Sequence, residues 1–279
     1  MSEDPTLLKM TRARFLFAMI TPVMIGTMGA FSVTGEFRLI GLLLVFLTMF
    51  SLQISMNVYN DIYDTIQGAD DKISQKNVFS GGSGVLLDRP DLFPKMYLIA
   101  RTALVTGIAG GILLLFTVDE HLWLLLIVVL ASLVFFSKYY TAPPFKFAYR
   151  GLGMVVVWIG FGPLIVQLSS IGQNLGLHPN VISLMPVIGF SALFIPFMGE
   201  MEDFRSDKAA DKKGLVMILG MKKSNYLMLL IHFLAVISVI YVALFVFNPG
   251  YTLLIAIIPH AVLLPNTLFP YTTLFRSSF

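Results

Sequence analysis

Two runs of carboxylates stand at the ends of long apolar segments. The first reads Asn57-Val58-Tyr59-Asn60-Asp61-Ile62-Tyr63-Asp64 and trails into Gly68-Ala69-Asp70-Asp71. The second reads Glu200-Met201-Glu202-Asp203-Phe204-Arg205-Ser206-Asp207 and continues to Asp211. Carboxylates packed this densely beside hydrocarbon are costly unless a cation neutralises them. Mg2+ prefers oxygen ligands, keeps several waters and is usually shared between carboxylates and substrate phosphates. The chemistry that these residues could do is to grip a diphosphate through a divalent metal at a membrane face. If the chain is helical here, Asn57, Asp61, Asp64 and Gly68 form one stripe, and Glu200, Asp203, Asp207 and Asp211 form another. Two helices could then aim acid edges at each other across a cavity.

The elements that position these acids follow from hydropathy. The 279-residue chain is 57% hydrophobic and only 13% charged, with a mean hydropathy of +0.83. A soluble domain carries roughly a quarter charged residues, so the chain is expected to lie in a lipid bilayer. About 20 apolar residues cross a bilayer core as a helix. Runs of that kind occupy roughly 15–34, 39–58, 96–117, 121–138, 152–172, 181–199 and 226–247, with a shorter one at 251–264. They are continuously apolar without period-two alternation, which favours helices over a barrel. The fold class expected is therefore all-α, a polytopic membrane bundle of about eight spans. The first run has no small-residue cleavage pattern and reads as an uncleaved span. The net charge of +3 is too small to point to a nucleic-acid partner, and the absence of cysteine excludes disulfides and thiolate catalysis.

Basic residues set the expected orientation. Sixteen of the 19 Lys and Arg fall in the N-terminus and the second, fourth and sixth connectors. The positive-inside rule puts those segments, and with them both acid runs, on the cytoplasmic side of the cell membrane. Solvated connector acids balanced by nearby Lys and Arg are the plain alternative for either run alone. Two runs at span ends on one side argue against it. Ion translocation is a further alternative, yet no acid lies near mid-span.

Two other polar segments join that side. Ser74-Gln75-Lys76-Asn77-Val78-Phe79-Ser80-Gly81-Gly82-Ser83-Gly84 is glycine-rich, and its amides could face phosphate oxygens with Lys76 as a point charge. It lacks the Walker spacing, and a plain flexible connector fits it equally. The fourth connector runs Tyr139-Tyr140-Thr141-Ala142-Pro143-Pro144-Phe145-Lys146-Phe147-Ala148-Tyr149-Arg150-Gly151-Leu152-Gly153. Its aromatics suit an interfacial belt, while Lys138, Lys146 and Arg150 could neutralise a diphosphate. Spacing does not choose between belt and site. The four histidines are scattered without metal-ligand spacing.

Asn60-Asp61-x-x-Asp64, preceded by Asn57, resembles the first signature of the UbiA-type intramembrane aromatic prenyltransferases. Glu202-Asp203-x-x-x-Asp207, running into Lys212-Lys213-Gly214 and Leu219-Gly220, resembles their second. The Tyr-Thr-x-Pro-Pro run and Tyr-Arg-Gly-Leu-Gly at 140–153 are most similar to the branch that prenylates 1,4-dihydroxy-2-naphthoate in menaquinone synthesis. The resemblance covers about residues 10–264. It implies nine helical spans around a cavity open laterally to lipid, and Mg2+ held between the two aspartate motifs. It also implies transfer of a polyprenyl group from an allylic diphosphate to an aromatic acceptor. By position, Asp61, Asp64, Asp203 and Asp207 become the metal and catalytic acids. Tyr140 becomes a candidate for steadying the allylic cation. Asn57, Asn60, Asp70, Lys76, Lys138 and Arg150 become substrate contacts. The chain departs from the pattern at Gly68, where many members carry a third aspartate, at Glu200, where Asn or Asp is commoner, and at Met154, where the branch often has an acid. Residues 1–264 are read as one membrane-embedded domain. Residues 265–279 stop being span-like and resemble translated adapter sequence, and so are expected to be a non-native tail on a truncated frame.

Overall fold

The computed structural model of the chain describes residues 5–69, 82–209 and 212–246. The apolar runs become helices because no other backbone arrangement satisfies every N–H and C=O without water. Among the described residues, seven of them are long and apolar enough to cross a membrane. They are α1 (Ala13–Thr34), α2 (Leu39–Ile66), α3 (Pro90–Leu115), α4 (Glu120–Tyr139), α5 (Gly153–Gly172), α6 (Pro179–Glu202) and α7 (Met221–Val246). Among the described residues there is no strand, only an isolated bridge between Arg150 and Lys213. The expected eighth run at 251–264, and the tail at 265–279, lie outside the described residues.

Boundaries moved at several ends. The third span begins at Pro90 rather than near 96, and the sixth extends to Glu202. Proline at the first turn costs a helix nothing, since that N–H has no intrahelical partner. The first acid run is helical from Asn57 through Asp64: α2 continues unbroken to Ile66, while Gly68, the last member of the expected stripe, lies past the helix end with φ +75°, and Asp70 and Asp71 lie outside the described residues. The second run is not one helix. The chain leaves α6 at Asp203 and restarts as Phe204–Ala209. The hydrogen bonds from Asp203 N to Gly199 O (2.9 Å) and from Asp207 N to Asp203 O (2.8 Å) carry the direction across the break.

Small residues let α2 and α3 touch. A Cβ on Gly107 would sit 2.8 Å from the Leu52 side chain, and one on Gly110 would sit 2.7 Å from Thr48 Oγ1. Membrane helices associate through such close backbone approach, because lipid supplies no hydrophobic drive between them. One large core cluster joins α1 to α5 through Met19, Val45, Leu126 and Leu168. A second joins α5, α6 and α7 through Met154, Phe197 and Ile231. A π-helical stretch at Gly160–Ile165, containing Pro163, widens α5 between them.

The end remote from the acids is tied by polar bonds between connectors. Gln173 exchanges two hydrogen bonds with the Arg38 backbone (2.7 and 3.0 Å), Arg38 donates to Thr117 O (2.9 Å), and Asn174 bonds Asp119.

Candidate active site

A cavity of about 400 Å³ opens between the helices at the acid-bearing end. Its deep wall is apolar, with Met56, Val157, Phe161, Ile188 and Ile195. Its outer wall is polar, with Arg12, Asn57, Asn60, Asp64, Tyr140, Asp203, Asp207 and Lys212. α2 supplies the first acids because its helical period turns Asn57, Asp61 and Asp64 to one side, where all three are buried.

Asp61 is 2% exposed and accepts the Ser83 amide on both oxygens (3.0 and 3.1 Å). It also faces Arg12 Nη1 at 3.5 Å. Ser83 closes the glycine-rich segment, so at least this amide meets a carboxylate. Asp64 accepts the Tyr149 hydroxyl at 2.6 Å. Lys212 Nζ stands 3.8 Å from Asp64 and 3.6 Å from Asp207, so one ammonium spans the two acid runs. It also lies 5.3 Å over the Tyr149 ring.

Charge in this place is heavily perturbed. Burial pushes the Asp207 carboxyl up to about 7; Lys212 opposes that rise, and Asp203 and Asp64 add to it. Burial alone would lower the Lys212 ammonium, but Asp64 and Asp207 outweigh it and hold it well above the usual lysine range. Burial likewise pushes the Tyr140 phenol above its usual range, helped by Glu200. Four aspartates (61, 64, 203, 207) converge on two cations, Arg12 and Lys212. That carboxylate excess, with one acid pushed towards neutrality, fits a divalent cation bound through oxygen. No described trio of His, Asp or Glu is already gathered closely enough to chelate a bare ion. The donor set therefore suits Mg2+ shared with a ligand's own oxygens.

The expected residues do not all meet. Asn57, Asn60, Asp64, Tyr140, Asp203 and Asp207 line the cavity, and Asp61 adjoins it through Arg12. Lys138 does not line it; its ammonium sits 5.2 Å over the Tyr139 ring. Arg150 is exposed and donates to Pro144 O at 3.1 Å, because its backbone is paired with Lys213. Asp70 and Lys76 lie outside the described residues. Met154 is 4% exposed and packs with Val157 and Phe197 in the α5–α7 core, behind the cavity wall rather than lining it.

Other functional side chains were not singled out by sequence reasoning. Arg12 counted only as a charge for orientation. A left-handed turn at its own backbone (φ 51°, ψ 46°) swings it over the cavity, where it stacks on Phe15 at 4.7 Å. Asn57 steadies that entry by donating to Thr11 O at 3.2 Å, and Gln53 in turn donates to Asn57 at 2.9 Å. Tyr149 stood in the quoted fourth connector, yet nothing in its spacing distinguished it from a belt aromatic.

Comparison with known proteins bears on this geometry. The 2-carboxy-1,4-naphthoquinone phytyltransferase of Synechocystis sp. is 27% identical over 211 residues, which are 76% of this chain and 65% of that protein. The 1,4-dihydroxy-2-naphthoate octaprenyltransferase of Bacillus subtilis is 27% identical over 222 residues, 79% of this chain and 68% of that one. The chain thus spans about two thirds of the length of these relatives, and 53% of a chloroplastic one from Arabidopsis thaliana. Among solved structures, a UbiA homolog from Archaeoglobus fulgidus bound to DMAPP and Mg2+ superposes with a TM-score of 0.67 at 16% identity. That match covers 94% of this chain and 85% of the other. An apo UbiA homolog from Aeropyrum pernix superposes at 0.69 and 15% identity, covering 95% and 91%. At such identities these two establish the fold. The profile of the UbiA prenyltransferase family matches residues 19–271, and the chain belongs to that family.

Proposed function

We propose that the chain transfers a polyprenyl group from an allylic diphosphate to an aromatic acceptor, in a reaction that needs Mg2+. The acceptor we infer is 1,4-dihydroxy-2-naphthoate. The observation that carries this reading is the two-natured cavity. A charged rim, where Lys212 spans Asp64 and Asp207, passes into an apolar wall at Phe161, Ile188 and Ile195. Such a wall and rim match a molecule with a diphosphate head and a hydrocarbon tail. The naphthoquinone and naphthoate relatives support the choice of acceptor.

Asp61, Asp64, Asp203 and Asp207 would hold Mg2+, which when bound neutralises charge on a departing diphosphate. Lys212 and Arg12 bind diphosphate oxygens where negative charge grows as the allylic C–O bond breaks. The electron pair of that bond leaves with the diphosphate. Tyr140, whose phenol burial keeps protonated, presents a neutral aromatic face to the allylic cation. The apolar wall holds the chain and keeps water from the cation. An electron-rich ring carbon of the acceptor then forms the new C–C bond. With dihydroxynaphthoate, the carboxylate leaves as CO2 overall. Basic connectors support an acid-bearing end that faces the cytoplasm.

The test is incubation of membranes carrying the full chain with a labelled polyprenyl diphosphate, Mg2+ and 1,4-dihydroxy-2-naphthoate, with products identified by mass. The expected result is Mg2+-dependent release of diphosphate and a prenylated, decarboxylated naphthalene product. Transfer only to another acceptor, such as a hydroxybenzoate or a glycerol phosphate lipid, would correct the acceptor. Cation flux in proteoliposomes without any diphosphate release would overturn the reading.

A further inference from the structure

Glu200 belongs to the second acid run and lines the cavity, and its carboxylate also holds the segment that follows Lys212. Oε2 accepts the Val216 amide at 3.0 Å. A Cβ placed on Gly214 would meet Oε2 at 2.7 Å, Cδ at 2.9 Å and Oε1 at 3.1 Å. The carboxylate therefore lies beside Gly214, with Oε2 held by the Val216 amide. Two residues before Gly214, the Lys212 ammonium reaches Asp64 and Asp207. The segment is also pinned where Lys212 N donates to Asp207 O at 3.0 Å and where Lys213 pairs with Arg150. Val216 also packs with Phe197 and Met201 of α6, and the Glu200 bond is the polar part of the attachment that follows Lys212.

We propose that Glu200 is a positioning residue, which holds the 214–216 segment so that Lys212 meets the diphosphate, and that it does not ligate the metal. This rests on the diphosphate reading above. The Oε2 lone pair that accepts from Val216 is not available to an ion. A lysine on an unanchored loop binds an anion less well, because the loop must be ordered at the moment of binding.

The variants are Glu200→Ala, Glu200→Gln and Gly214→Ala, in the full chain purified in detergent. Three quantities are read: KM for the allylic diphosphate, the Mg2+ concentration for half-maximal rate, and the rise in Tm caused by inorganic diphosphate with Mg2+. Glu200→Ala should raise KM about tenfold, the effect of one charge-assisted hydrogen bond. It should also shrink the Tm rise while leaving the Mg2+ half-point within about twofold. Glu200→Gln should restore both, since its amide oxygen still accepts from Val216. Gly214→Ala should mimic Glu200→Ala: φ −63° and ψ 167° accept alanine without strain, so the only insult is the contact with the carboxylate. In a Lys212→Met background, Glu200→Ala should add nothing further.

A Glu200→Gln variant as impaired as Glu200→Ala, a raised Mg2+ half-point, or additivity with Lys212→Met would overturn the proposal. If Glu200→Ala fails to fold, Glu200→Gln alone decides: wild-type KM and Mg2+ half-point support it, and loss of either refutes it. A wild-type chain that shows no Tm rise and no transfer would overturn the functional reading, and this inference with it. A failure confined to the variants touches Glu200 only.

Discussion

If Asp207 holds Mg2+ as proposed above, the metal's effect on stability should depend on pH. Asp207 is 2% exposed, and burial raises its pKa from an ordinary 3.8 to about 7. A carboxyl whose folded pKa lies above its unfolded one binds more protons when folded. Its contribution is complete below about pH 4 and is lost as pH rises towards 7. Each pH unit in that window removes about 1.4 kcal/mol, so the ionised acid costs the metal-free fold roughly 4 kcal/mol by pH 7.5. A bound divalent cation favours the ionised form and removes most of that cost. The Mg2+-induced rise in Tm of the purified full chain should therefore grow steadily from pH 5 to about pH 7 and level off near pH 8. The assay is thermal unfolding in detergent with Mg2+ and with EDTA at half-unit pH steps, with Asp207→Asn as control. Asparagine cannot titrate, so its Mg2+ shift should be small and flat across that window. A wild-type shift that is constant in pH, or larger at pH 5 than at pH 8, would refute the argument. So would an Asp207→Asn variant that keeps the wild-type profile.

Other outcomes are expected from the same geometry. Asp61→Ala and Asp203→Ala should abolish prenyl transfer while the protein still inserts in the membrane; full activity in both purified variants would defeat the metal assignment. Lys212→Met should raise KM for the allylic diphosphate by tenfold or more, with partial recovery in Lys212→Arg, as read by steady-state kinetics. Gly110→Leu places atoms where Thr48 Oγ1 lies 2.7 Å from the Cβ position. It should therefore cost about 1–3 kcal/mol in detergent unfolding without altering the Mg2+ half-point.

The parts of this fold that were legible in the sequence are those fixed by a single local rule. Continuous apolar length marks a span whatever packs against it, and seven such runs became helices, with the largest departures where the second runs on to Ile66 and the third begins at Pro90. The stripe at Asn57, Asp61 and Asp64 was readable because α2 runs through it unbroken. The second stripe is interrupted at Asp203, where the chain leaves α6 and restarts at Phe204, yet Glu200, Asp203 and Asp207 line one cavity, and Asp211 lies outside the described residues. Lys212 and Lys213 are adjacent and alike in sequence. One is drawn between Asp64 and Asp207 and the other is exposed, a choice made by contacts that span the chain. Arg12 depended on a left-handed turn in a non-glycine residue, which composition does not announce. Lys138 and Arg150 carried the right charge on the right connector, but their ammonium and guanidinium groups lie against Tyr139 and Pro144 O.

Charge balance suggests why cations and carboxylates share this rim rather than occupying separate subsites. A pocket lined only by Arg and Lys would bind diphosphate strongly in both substrate and product, which slows release. Here Arg12 faces Asp61, and Lys212 faces Asp64 and Asp207, so neither cation is fully available until something competes for those carboxylates. On the proposed function, a divalent ion arriving with diphosphate would do so, since the aspartates would hold it and the two cations would be left for phosphate oxygens. Diphosphate alone meets an excess of carboxylates and is repelled. Inorganic diphosphate without a divalent ion should therefore leave the Tm of the full chain unchanged, and with Mg2+ it should raise it. The two additions should act synergistically rather than additively. Equal stabilisation by diphosphate in EDTA would show that Arg12 and Lys212 are already free for it, and the shared-rim argument would fail.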